Sequence, residues 1–229
     1  MSPCGSHRTE IAGVGAALRP SGALWLEDAR ALVVADLHFE KGSAFAARGQ
    51  LLPPYDTAET LRRLCAEVAA TDPKVVIFLG DTLHDGKAET RISPDDEATL
   101  NALARGRTLI WIVGNHDADG PARLPGDIAA EVAIGGLTLR HEPRRGADHG
   151  WAAGHLHPCA RVAGKGGSVR RRCFVTDGAR IVLPAFGAFT GSLNVRNEAF
   201  AGLFATAPLA VVLGVGKSHP VAWRRLVAD

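Results

Sequence analysis

The residues able to do chemistry in this chain stand where apolar runs stop. Asp36 and His38 close ALVVADLH, Asp81 closes KVVIFLGD, and Asn115, His116 and Asp117 close TLIWIVGNHD. Farther on, His141 follows LTLR, and His155 and His157 lie in GHLHP. Imidazole, carboxylate and amide groups without thiolate suit borderline divalent cations such as Mn, Fe or Zn rather than Ca or Mg alone. Asp36, His38, Asp81, Asn115, His141, His155 and His157 exceed what one such ion needs. Two ions sharing a carboxylate use them all, and a pair held ~3.5–4 Å apart clamps both the attacking and the leaving oxygen of a phosphoryl displacement. In extended chain, residues two apart point to the same side, so Asp36 and His38 can face one ion; His155 and His157 share the same i, i+2 relation.

Three of these runs read as strands buried on both faces of a sheet, and ligand sites in open α/β sheets lie beyond the carboxyl ends of such strands. Residues 10 to 38 read as short strands joined by turns, the Ala31–Ala35 run being the first central strand. Beyond a Gly- and Ala-rich loop with Lys41 and Arg48, a helix is expected from Asp56 to Ala70, with Asp56 and Glu59 as a capping box. Leu61, Leu64, Cys65 and Val68 share one of its faces. A second helix is expected over Pro94–Arg105, with Ser93 as N-cap, Pro94 at the first helical position and Gly106 as the stop. The order β-α-β-α-β makes the central strands parallel. His84 and Asp85 are either pocket-rim residues or, as is commoner for a lone pair in a loop, solvent-exposed. Past Asp117 the pattern changes to β: Ile128–Ile134, Leu137–Leu139 after a Gly135-Gly136 turn, a hairpin of Val169–Val175 with Arg180–Leu183, and Leu209–Val215.

At 229 residues, with 46% hydrophobic and 22% charged, the chain suits one domain over 1–229. No apolar run approaches the ~18 residues of a membrane span, so no membrane partner is expected. The opening MSPCGSHRTE lacks the apolar core of a secretory signal. Cys4, Cys65, Cys159 and Cys173 are scattered and form no CxxC pair, which fits a reduced cytoplasmic setting. The net charge of +2 is unevenly spread: residues 140–180 carry nine basic residues against Glu142, Asp148 and Asp177. That suits either a polyanionic partner or a solvated basic face.

Taken in order, Asp36-x-His38, Gly80-Asp81, Gly114-Asn115-His116-Asp117, His141 and Gly154-His155-x-His157 resemble the calcineurin-like binuclear metallophosphoesterases. VVADLHFEKG at 33–42, His141-Glu142-Pro143, GHLHP and LPAFGAFTGSLNV at 183–195 are similar to the bacterial ligase-associated DNA damage response endonucleases. The resemblance implies an α/β fold, a four-layer α/β/β/α sandwich whose second sheet is built after Asp117. It implies two divalent ions, with manganese suggested and iron or zinc possible. Asp36, His38 and His157 would hold one ion and Asn115, His141 and His155 the other, with Asp81 bridging. The implied reaction is hydrolysis of DNA phosphodiester bonds by a metal-bridging hydroxide.

His116 adjoins a ligand without being one, and imidazole titrates near neutral pH, so it is the candidate proton donor to the leaving oxygen. Asp117 either orients it or is a structural strand-end carboxylate. Arg144 and Arg145 follow the His141 motif and Arg170–Arg172 lie on the hairpin, a basic track suited to single-stranded or damaged DNA. Phe174, Phe186 and Phe189 are either base-stacking or core residues. The family name points to DNA repair, with ligase, nuclease or helicase partners. Two rival readings stand beside this one: a phosphohydrolase of nucleotides, phosphomonoesters or lipid-linked pyrophosphates, and a non-catalytic scaffold. The second would be expected to have eroded ligands.

Overall fold

The apolar runs that end in ligand-type residues become adjacent parallel strands. A computed structural model describes residues 5–50, 52–146, 150–164 and 166–229; Cys4, Asp148 and Lys165 lie outside the described residues. The chain starts as an antiparallel meander, β1 (His7–Ile11), β2 (Val14–Leu18), β3 (Leu24–Leu26) and β4 (Ala31–Val34). Next come α1 (Lys41–Ala46), α2 (Asp56–Thr71), β5 (Val75–Leu79), α3 (Pro94–Leu103), β6 (Thr108–Ile112) and β7 (Asp127–Ala129). β4 to β7 pair in parallel and complete a seven-stranded sheet.

The second sheet is mixed. It contains β8 (Glu131–Ile134), β9 (Leu137–Arg140), β10 (Trp151–Ala153), β11 (Pro158–Gly164), β12 (Gly167–Thr176) and β13 (Arg180–Val182). The short β14 (Leu193–Asn194) and β17 (Leu226–Val227) flank β11, and β15 (Leu209–Leu213) joins β12 and β16 (Ser218–Ala222). β9, β10 and β13 run parallel.

The two-residue period of the central strands sorts their side chains into two cores. Leu32, Val34, Val76 and Phe78 face the helices with Leu61, Leu64 and Val68 of α2, while Val33, Ile77 and Leu79 face Leu139, Ala152 and Ile181 of the second sheet. Each such buried aliphatic side chain contributes roughly 1.5–3 kcal/mol. Phe78 stacks on Trp111 at 4.1 Å between ring centroids. On the outer face of the second sheet, Trp151, Cys173, Val175 and Val182 pack under Val195, Phe200 and Leu203. The sandwich is therefore the expected one, but among the described residues its fourth layer is irregular chain around a 3-10 turn (Glu198–Phe200) rather than an α-helix.

Local readings fared unevenly. Ser93 caps α3 by accepting the Asp96 N–H at 3.1 Å, with Pro94 at the first position, and Gly106 follows with φ 73°. The Asp56–Glu59 capping box does not form: Tyr55 is the N-cap without a side-chain bond, and Asp56 instead accepts the Gly42 N–H of α1 at 3.0 Å. The single strand expected over Ile128–Ile134 is two strands in different sheets. Apolar alternation identifies extended chain, but not which of two facing sheets it joins. No helix among the described residues is long and apolar enough to cross a membrane.

Candidate metal centre

Both sheets deliver their parallel strands to one rim. β4 ends at Asp36 and His38, β5 at Asp81 and β6 at Asn115; opposite them, β9 ends at His141 and β10 leads to His155 and His157. The His155 N–H, 3.0 Å from each Asp36 carboxylate oxygen, ties the sheets together there. Two groups of ligand atoms result: Asp36, His38 and His157, and Asp81, His141 and His155. In the first, His38 Nε2 and His157 Nε2 stand 3.4 Å apart, and His157 Nε2 is 3.4 Å from Asp36 Oδ1. In the second, Asn115 Oδ1 is 3.0 Å from both His141 Nε2 and His155 Nδ1, and His141 Nε2 is 3.4 Å from Asp81 Oδ2. The groups abut, with His141 Nδ1 3.8 Å from Asp36 Oδ1. Ring nitrogens and amide or carboxylate oxygens this close are bridged either by protons or by cations, and a set of imidazole, carboxylate and amide donors without thiolate fits two divalent ions.

The chain reaches this geometry by a route different from the one the spacing suggested. Asp36, His38, Asp81, His155 and His157 all have left-handed backbone, with φ of 53°, 49°, 47°, 68° and 45°. Each costs on the order of 1–3 kcal/mol and persists because its surroundings over-determine it. Asp36 and His38 therefore converge by backbone curl, not by the alternation of an extended strand, whereas His155 and His157 fall in different groups. Two glycines make room: a Cβ on Gly80 would stand 2.2 Å from His141 Nδ1, and one on Gly114 would stand 2.3 Å from the Asp81 amide nitrogen.

Outside the ligands, hydrogen bonds set orientation. His141 Nδ1–H donates to the Leu79 carbonyl at 3.2 Å, which leaves Nε2 as its ligand atom. Asp117 is buried, and its carboxylate accepts four backbone N–H groups: Gly114 and Asp81 on Oδ1, Thr82 and Leu83 on Oδ2, at 2.7–3.1 Å. It therefore organises the loop that carries Asp81, and its hydrogen bonds go to main chain rather than to the His116 ring. Burial pushes the Asp117 carboxyl up, and the amides of Leu83 and Gly114 pull it part of the way back. The exposed His116 gives its main-chain N–H to Asp81 Oδ1 at 2.9 Å and its Nδ1–H to the His84 carbonyl at 2.9 Å, leaving Nε2 open.

His84, which the sequence left between the pocket rim and an exposed loop, is half-buried against this centre. Its Nδ1 is 3.4 Å from His38 Nδ1, its ring stacks on His116 at 5.5 Å, and His38, His84 and His116 form a third group of convergent ligand atoms. Its position three residues past Asp81 was the available signal.

Electrostatics prepare the ligands unequally. Burial, reinforced by His157, holds His38 down at about 3, so its ring is neutral and ready to ligate. Burial also opposes charge on Asp81 and His141. Their mutual hydrogen bond and attraction outweigh it, holding Asp81 at about 2 and raising His141 to about 9. Without a cation, His141 thus keeps a proton that an ion would displace.

The cationic candidates separate. Arg144 lines a groove of about 350 Å³ with Asn115, His141 and Arg140, whereas Arg145 has its side chain beside Gly202 and is not among that groove's walls. Phe174 and Phe186 are wholly buried core residues and cannot stack on bases; half-buried Phe189 packs against exposed Tyr55 at 5.8 Å.

Fold and site together define a metal-dependent hydrolase. The sequence pattern of the calcineurin-like phosphoesterase family matches residues 29–136. The crystal structure of Pseudomonas putida nuclease MPE is similar over 94% of this chain and 100% of that one, with 31% identity and a TM-score of 0.73. Yfce, a phosphoesterase from E. coli, aligns over 84% of this chain and 98% of its own at 13% identity and a TM-score of 0.41. No curated protein sequence matches the chain. The chain belongs to the calcineurin-like phosphoesterase family.

Proposed function

We propose that the chain is a manganese-dependent endonuclease that hydrolyses phosphodiester bonds of single-stranded or damaged DNA. The observation that carries this reading is the pair of abutting ligand groups with the open Nε2 of His116 beside them. The 31% identity to a nuclease supports the substrate class. In this proposal Asp36, His38 and His157 hold one ion, Asn115, His141 and His155 the other, and Asp81 lies between. When bound, the ions lower the pKa of water and offset charge on the phosphate.

The chain's own residues do the rest. As an imidazolium, His116 carries a proton on Nε2 to the leaving oxygen, while its Nδ1–H bond to the His84 carbonyl fixes the ring plane. Asp117 is a positioning residue that holds the Asp81 loop through main-chain amides. Arg144, beside Asn115 and His141, offers a guanidinium to the DNA backbone. A cytoplasmic DNA-repair setting, with ligase, nuclease or helicase partners, belongs to the same proposal; the free thiols of Cys65, Cys159 and Cys173 support its reducing compartment alone.

The test is nicking of circular single-stranded DNA by chelator-treated protein with Mn²⁺ restored, beside Asp81→Ala and a small phosphate ester. Mn-dependent linearisation that Asp81→Ala lacks is expected. Intact circles together with brisk ester hydrolysis would move the substrate to a small phosphate ester.

A further inference from the structure

A second basic feature lies on the same rim as the metal centre but outside it. An open groove of about 510 Å³ is walled by Arg63, Arg170, Arg171 and Arg172, with Ser21 and Ser192. Topology places it. Ser21 stands in the turn from β2 to β3, and because β3 runs antiparallel to β4 that turn lies at the carboxyl end of β4, where Asp36 sits. β12 is antiparallel to β13, so Arg170–Arg172 extend past the carboxyl end of β13 on that same rim. The two sites share a wall. Arg172 donates to the carbonyls of Ala185 and Gly187 at 2.9 Å, and the Gly187 N–H donates to the Asp36 carbonyl at 3.2 Å. Lys41 continues the line, within electrostatic reach of Arg172 on one side and of His84 on the other.

The charge in this groove is not neutralised by its own walls. Arg63 spends its Nη groups on the carbonyls of Phe186 and Ser21, and Arg172 spends its own on Ala185, Gly187 and Thr190. Main-chain oxygens satisfy donors without cancelling a cation. Among the described residues, neither guanidinium hydrogen bonds to a carboxylate and the exposed Arg171 donates only to the Arg170 carbonyl. Among those residues Asp229, bonded to Arg170 Nε at 3.2 Å, is the one carboxylate in ion-pair contact with these four arginines, while Glu59 and Glu67 act on Arg63 at longer range. Ser21 Oγ already accepts from the Ala23 N–H, so its hydroxyl hydrogen remains available, whereas Ser192 Oγ accepts from Arg170 Nη1 and also hydrogen bonds the Cys159 thiol. Clustered guanidinium forks with a spare hydroxyl donor are the chemistry that recognises a phosphate.

We propose that this groove is a phosphate subsite that holds the backbone of the DNA strand at a phosphate other than the one cut at the metals. The inference rests on the DNA reading above and deepens it: the strand runs from the metals past His84 and Lys41 into the arginine groove. Captured there, it is registered on the protein by charge and not by base edges, which makes cutting indifferent to sequence.

The experiment measures binding of a fluorescent oligothymidylate by anisotropy across a salt series, with nicking of single-stranded circles in parallel. The variant is Arg170→Gln/Arg171→Gln; Arg63 and Arg172 stay in place because they hold the 185–190 chain. The control is Lys74→Gln/Arg105→Gln, which removes the same charge from the amino ends of β5 and β6 at the opposite rim. With about 0.7 of log–log salt slope per phosphate neutralised on a single strand, losing this one phosphate should flatten the slope by about 0.7 and raise Kd, with the control unchanged. If wild type binds and cuts DNA and the groove variant matches it in slope and Kd, the groove inference falls while the endonuclease stands. Should wild type neither bind nor cut DNA, the endonuclease reading falls and takes the groove with it.

Discussion

Asp117→Asn separates holding the site from doing its chemistry. The native carboxylate takes two amide N–H groups on each oxygen, from Gly114 and Asp81 on one and from Thr82 and Leu83 on the other. An asparagine of the same shape keeps one oxygen and turns an NH₂ toward the other pair, donor against donor. Two buried amides orphaned at ~1–3 kcal/mol each, with charge assistance lost from the surviving two, sum to about 4 kcal/mol. For a chain of this size that lowers Tm by about 8–16 °C. Because the Asp81 amide is among the four, Mn affinity should weaken as well. With Mn and substrate saturating, kcat should stay within about tenfold of wild type, since His116 keeps its own bond to the His84 carbonyl. Thermal melting, Mn titration and steady-state cleavage measure the three quantities. Unchanged Tm and Mn affinity with kcat reduced by orders of magnitude would refute this account and give Asp117 a direct part in proton transfer.

Other perturbations give equally definite outcomes. His116→Ala should reduce diester cleavage about 10²–10⁴-fold with metal content intact, because Asp81 is held by the main-chain N–H of residue 116 and not by its ring. Loss of metal in elemental analysis would instead make His116 a ligand. Gly80→Ala puts a Cβ 2.2 Å from His141 Nδ1 at φ 75°, so one ion per chain should be lost and His141 displaced, as metal counting would reveal. Chelated protein should be most stable near pH 6.5. His38, lowered to about 3, resists the proton that the unfolded chain takes up, so stability falls as pH drops from 6.5 toward 3. His141, raised to about 9, gives stability that is complete below 6.5 and is lost as pH rises through 9. Melting curves across pH test this, and a flat profile from 5 to 9 would contradict it.

The strand ends were readable because each couples a charge-free run to a polar residue, a junction that β4, β5 and β6 each realise. The convergence of Asp36 and His38 at two-residue spacing was readable too, although for the wrong reason, since left-handed backbone at both residues curls them together. What escaped was contact between distant segments. His84 reaches His38 only because β4 and β5 are neighbours, and Arg63 looks like an ordinary surface cation of α2 until the 185–190 chain folds over it. Phe186 was readable as either a stacking or a core residue, and burial under Arg63, 4.6 Å above its ring, makes it core. The six-residue α1 was missed because a helix that short is held by its contacts with α2 and not by its own propensity.

Anomalous scattering from Mn-loaded crystals tests the central claim most directly. Two peaks about 3.5–4 Å apart are expected, one bounded by Asp36, His38 and His157, the other by Asn115, His141 and His155, with Asp81 touching both. A single peak, or one seated among His38, His84 and His116, would contradict the assignment of the site.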